Sequence, residues 1–198
     1  MPIEKQQEPD YFNRLRRYRL VVRPAAEMAE ILIEEKRKFS REYQLEGEIS
    51  APLVVLTEFL AKDEMEETII RWLQRITGEH RSFAITLNNF GGCPAHSVFL
   101  RILDHEPLRD LARQLQPIDQ YVRRNDCPPV RFMVQPYLPI AENLTGTLYD
   151  RVIGDYSRRD FHGSFEVTEL MLVRASDDGG SSVRRAVLRL QPGHQLQN

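Results

Sequence analysis

The chain predicts an α+β fold in which duplicated βαβαβ lobes form two sheets around a central cleft, with helices on the outer faces. Two observations predict it. Apolar residues alternate at period two in some stretches and recur at helical spacing in others, in the order strand, helix, strand, helix, strand. The same order begins again near residue 96, so that Tyr18 corresponds to His96, Leu53 to Phe132 and Ser82 to Phe161. The correspondence is one of pattern, because the residues themselves are hardly alike.

Residues 1–16 are a polar N-terminal segment. A single bilobal domain is expected over 17–191, with repeats at about 18–90 and 96–174, a final strand at 183–190 and a tail at 192–198. "YRLVVRP" is a strand ended by Pro24, and the helix after it carries Met28, Ile31, Leu32 and Phe39 on one side. "APLVVLTEFL" is the second strand. Asp63 and Glu66 then have capping-box spacing ahead of a helix with Met65, Ile69, Leu73 and Ile76 as its stripe and Gly78 as its stop. "RSFAITLNNF" alternates Phe83, Ile85 and Leu87 as a third strand, and Gly91-Gly92 marks a connection.

In the second half, "HSVFLRIL" is a strand and "DHEPLRDLARQLQ" a helix capped by Asp104, with Leu108, Leu111 and Leu115 on one side. "PVRFMVQPYL" is a strand, and "AENLTGTLYDRVIGDY" is a helix facing inward with Leu144, Leu148, Val152 and Ile153. "FHGSFEVTELMLVRA" reads as one long strand, followed by the turn "SDDGGSS" and a last strand "VRRAVLRLQ".

The 198 residues carry 41% hydrophobic and 28% charged side chains, ordinary for a globular chain with a substantial core. A net charge of -2 supplies no global attraction to nucleic acid or anionic lipid. No segment has the roughly 18 consecutive apolar residues of a membrane span, and no signal peptide is evident, so a cytoplasmic protein is expected. Cys93 and Cys127 make no disulfide framework, and the five histidines lack paired ligand spacing; neither a metal nor another cofactor is expected.

Period two along the second strand places Leu53, Val55, Thr57 and Phe59 on one face. Its counterpart places Phe132, Val134, Pro136 and Leu138 together. These faces are either packed core or the walls of a groove for an apolar ligand or a peptide, with Thr57, Glu58, Gln135 and Tyr137 as cleft candidates. Arg14, Arg16, Arg17, Arg19 and Arg23, with Tyr11, Phe12 and Tyr18 nearby, and Arg184, Arg185 and Arg189 near the end, read either as a solvated face paired with glutamates or as an RNA contact.

The element order and the stretches "PLVVLTEF" and "VRFMVQPYL" resemble the LigT-like 2'-5' RNA ligases and cyclic phosphodiesterases of the two-histidine phosphoesterase superfamily. The resemblance implies a His-x-Thr or His-x-Ser on the second strand of each half, preceded by proline and followed by apolar residues. It also implies a nucleotide or RNA substrate. Pro52 matches the proline, but Leu53 and Val55 stand at the histidine and threonine positions, and Phe132 and Val134 stand at those of the second motif. In-line attack at a cyclic phosphate needs one group to accept a proton and another to donate one. Leucine, phenylalanine and valine do neither. The expectation is therefore a pseudoenzyme that binds a ligand. One alternative is an active enzyme using the displaced pair His162 and Ser164, which satisfies His-x-Ser without a partner motif. Another is an unrelated interaction module. His80, His105 and His194 read as solvated.

Overall fold

Alternation and helical spacing resolve into nine strands and five α-helices in the computed structural model, which describes residues 15–93, 97–176 and 182–193. The N-terminal segment to residue 14 with Tyr11, Phe12 and Arg14, His96, most of the 176–182 turn, and His194 lie outside the described residues. The order is β1 (Leu15–Val22), α1 (Ala26–Glu42), β2 (Val54–Lys62), α2 (Glu66–Glu79), β3 (Phe83–Cys93) and β4 (Ser97–Ile102). It continues with α3 (Glu106–Gln114), α4 (Gln116–Arg124), β5 (Arg131–Phe132), β6 (Tyr137–Ala141), α5 (Gly146–Tyr156), β7 (His162–Val167), β8 (Glu169–Arg174) and β9 (Val183–Arg189).

The strands form two antiparallel sheets, in the orders β5-β2-β1-β8-β9 and β6-β4-β3-β7. The halves are therefore interleaved. β3, from the first half, lies between β4 and β7, whereas β8, from the second, lies beside β1. Helices α2 and α3 pack on the first sheet at β9 and β2, and α1 and α5 pack on the second at β6 and β7 and at β3 and β4. One continuous core joins these helix-side faces. α1 supplies Ala29, Leu32, Lys36 and Phe39 at the i, i+3, i+7, i+10 spacing of a single helical stripe.

Three sequence expectations are corrected. "FHGSFEVTELMLVRA" is two strands in different sheets, broken at Thr168; an apolar run does not reveal where a chain changes sheet. "PVRFMVQPYL" is also split: β5 is a two-residue strand pairing Phe132 with Thr57 and Arg131 with Glu58, after which residues 133–136 bend and β6 begins in the other sheet. Pro136, which has no N–H to give a ladder, falls at this break. Finally, Asp63 and Glu66 form no capping box. Asp63–Met65 is a 3₁₀ turn without a side-chain cap bond, and both carboxylates face arginines of neighbouring strands. The additional helix α4, with Ile118 and Val122 buried, follows α3 directly at Leu115.

Candidate functional site

The two sheets adjoin at β2 and β6, and each turns away from its helices a face that the main core does not cover. On the first sheet that face carries a small separate cluster of Val21, Met171 and Val173, with Leu53 and Val55 packed against it. Register explains the grouping, since Val21 pairs with Val55 on one side and Met171 on the other.

A β-bulge then breaks the period-two reading of "APLVVLTEFL". The register slips between Leu20, which pairs with Thr57, and Val21, which pairs with Val55, so Leu56 is the extra residue. Past the bulge the side-chain parity reverses. Thr57 and Phe59 are buried on the helix side, with Phe59 in the main core alongside Val54 and Leu56; Leu53 and Val55 remain on the open face. The expectation that Leu53, Val55, Thr57 and Phe59 share a face is thus corrected, and Thr57, 3% exposed, lines no groove. Glu58 joins the open face in its place, where its carboxylate accepts hydrogen bonds from Arg19 at 2.7 Å and Arg17 at 3.1 Å.

The expected second wall also moves. Phe132 is half-buried beside β2 in the first sheet, and Val134, 78% exposed, sits with Gln135 in the bend, so neither stands across from Leu53. The antiparallel neighbour of β4 in the second sheet, as β2 is of β1 in the first, is β6. It follows Pro136 with Tyr137 and Pro139, both half-buried and alternating with the buried Leu138 and Ile140. Of the cleft candidates, Tyr137 therefore lies on the open face of the second sheet, as Glu58 does on that of the first.

Sequence reasoning passed over the neighbours of Tyr137. Phe99 and Arg101 alternate with buried Val98, Leu100 and Ile102 along β4, which puts them on the open face. Arg101 pairs with Tyr137 and Phe99 with Pro139, and the Phe99 and Tyr137 rings lie 4.5 Å apart. Gly91, opposite Phe99, makes this possible: a Cβ there would lie 2.9 Å from the Phe99 ring and 3.3 Å from the Arg101 stem. The period-two parity of "SVFLRI" was the available signal for both side chains.

Further across the same face, Asn88 pairs with His162 and Thr86 with Ser164. Asn88 Oδ1 is buried without a hydrogen-bond partner among the described residues. His162 and Ser164 are exposed on β7, at the opposite edge of the sheet from β6. With β4 and β3 between them, His162 and Tyr137 are three strand spacings apart, roughly 14 Å. The other described histidines are engaged elsewhere: His80 Nδ1 lies 3.3 Å from Gln114, and His105 Nε2 lies 3.2 Å from the Pro136 carbonyl.

Arg16, Arg17 and Arg19 of the first strand and Arg185 of the last are committed to carboxylates, whereas Arg184 and Arg189 have no carboxylate partner among the described residues. Arg16 binds Asp63 at 3.0 Å, Arg17 and Arg19 bind Glu58, and Arg185 Nε donates to Glu66 at 2.8 Å. Tyr18 is fully buried, stacks on Phe59 at 5.4 Å and donates to Glu66 at 2.9 Å. Burial, reinforced by the Glu66 carboxylate, pushes its phenol up to about 12. Tyr18 is thus a core residue, which removes it from any base-stacking surface. Among the described residues no group of three His, Cys, Asp or Glu side chains could hold a metal ion, and no helix is long and apolar enough to cross a membrane.

No protein-family model matches the chain, and no curated protein matches it in sequence. Solved structures do match. The chain is similar to apo E. coli LigT with 20% identity over 90% of this chain and 99% of that one, at a TM-score of 0.64. It is similar to E. coli LigT complexed with 3'-AMP, with 16% identity over 90% and 99% and a TM-score of 0.62. TT0787 of Thermus thermophilus matches with 16% identity over 90% and 100%, at a TM-score of 0.63. The chain has the fold of the LigT-like phosphoesterases.

Proposed function

We propose that this protein keeps the LigT-like phosphoesterase fold without two-histidine catalysis, and acts by binding a ligand where the open faces of β2 and β6 meet. The observation that carries the reading is the identity of the side chains there. After Pro52 stand Leu53 and Val55, and after Pro136 stand Tyr137 and Pro139. The pattern of proline, motif residue, apolar residue, motif residue fits β6 better than "VRFMV", so Tyr137 and Pro139 replace Phe132 and Val134 as the second degenerate motif. No imidazole is present at either place. Proton transfer requires hydrogen-bond reach of about 2.6–3.2 Å, or one intervening water, and His162 on the far edge strand does not meet that for a phosphorus held near Tyr137.

What remains suits recognition of a planar ring bearing an anionic group. The Phe99 and Tyr137 rings offer a stacking surface, and the exposed Arg101 guanidinium beside them offers a charge-assisted donor. The 3'-AMP complex of E. coli LigT supplies a probe of that chemistry. Calorimetric titration of the purified protein with 3'-AMP is expected to show binding that Arg101→Ala weakens about tenfold, the scale of one charge-assisted hydrogen bond. An affinity unchanged in Arg101→Ala and in Tyr137→Leu would remove this surface from the proposal.

A further inference from the structure

We propose that Lys36 is a covalent attachment site for a small neutral aldehyde or ketone, held as a Schiff base in the cavity between α1, the 45–50 loop and β6. A lysine normally lays its stem on apolar surface and keeps its ammonium in water. Lys36 instead is 5% exposed, on the buried stripe of α1. Its Nζ donates to Ser50 Oγ at 2.9 Å, and no carboxylate lies within ion-pair distance of it among the described residues. An ammonium has three protons to place. Burial therefore favours the neutral amine and lowers its pKa from the ordinary 10.5, with Glu142 opposing in part.

Lys36 and its partner Ser50 both line a cavity. The cavity measures about 230 Å³ and has an apolar wall of Phe39, Leu45 and Ile140. At about 30 Å³ per water of liquid, that holds a molecule of a few heavy atoms beside the amine. Glu48 and Glu142 stand at the same cavity, which disfavours an anionic carbonyl such as a 2-oxo acid and leaves the neutral class. The Nζ lone pair attacks the carbonyl carbon, whose π pair moves to oxygen and takes up a proton while nitrogen loses one. The resulting carbinolamine then expels its hydroxyl, protonated, as water and becomes the C=N imine. Water in the open cavity can carry the proton, and no oxidant or reductant enters.

Reductive trapping tests this on the unaltered full-length protein. Incubation with butanal and cyanoborohydride near pH 7, followed by peptide mapping, reads the alkylation rate of each lysine. Burial lowers the pKa of Lys36 and so raises its neutral fraction near neutral pH, and Lys36 is expected to react faster than Lys38 and Lys62. Replacing butanal with glyoxylate is expected to reduce the rate at Lys36 relative to those two. A Lys36 that stays unmodified, or reacts no faster than Lys38 and Lys62, overturns the site. Equal preference for glyoxylate overturns the neutral class of ligand.

Discussion

An amine buried on the inner stripe of α1 costs the fold stability wherever it must carry charge. Burial sets the folded pKa of Lys36 below the ordinary 10.5. The cost is therefore complete at pH values below the folded pKa, shrinks as pH rises through it, and is gone above the unfolded value of about 10.5. Lys36→Met is expected to raise Tm at pH 7, by roughly 2–4 °C for each kcal/mol recovered. The gap to the parent protein should close as pH approaches 10.5; a gap that does not change with pH would mean that the gain comes from packing. At this scale the sequence was partly legible. The open-face placement of Leu53 follows from parity up to Leu56. Thr57 and Phe59 were misplaced because one extra residue reverses parity, and nothing in "VVLTEF" marks that residue. Arg101 and Phe99 were within reach of the same parity argument. Lys36 was not, since a lysine among the apolar positions of a helix reads as a surface residue until the 45–50 loop is seen to close over it.

Among the elements, the junction of α2 with β1, β8 and β9 rests on one carboxylate. Glu66, at the first turn of α2, accepts from the buried Tyr18 hydroxyl and from Arg185, and lies 3.6 Å from Arg174. Removing it leaves the buried Tyr18 phenol and the partly exposed Arg185 guanidinium without their acceptor, while Arg174 keeps Asp63 at 3.1 Å. Breaking a fully buried pair costs about 3–5 kcal/mol, which the partial exposure of Arg174 and Arg185 reduces to roughly 2–3. Glu66→Ala should lower the urea midpoint accordingly, and a change within about 0.5 kcal/mol would contradict the role. Sequence spacing had assigned Asp63 and Glu66 to a helix cap. The motif was present, but tertiary arginines competed for the same carboxylates. Most strands and helices were legible from their periodicity. The breaks at Thr168 and at residues 133–136 were not, because a strand that leaves one sheet for another keeps its apolar pattern on both sides of the break.

For the whole molecule, the interleaving of halves brings together the two strands of the proposed binding site. Because β3 crosses into the second sheet and β8 into the first, both sheets draw on both ends of the chain, and β2 and β6 are left near the seam. Element order alone suggested one sheet per half; the exchange of third strands is a long-range pairing that no local pattern encodes. On the proposed reading the fold tolerates the absence of the catalytic side chains, because Leu53, Val55 and Tyr137 lie outside the main buried core, on faces whose identity the packing does not dictate. Turnover of 2',3'-cyclic AMP and of 2'-5'-linked dinucleotides by the purified protein is the most direct measurement of that claim. The account predicts no hydrolysis or ligation above the uncatalysed background. Turnover that His162→Ala abolishes would contradict it and assign catalysis to β7 instead.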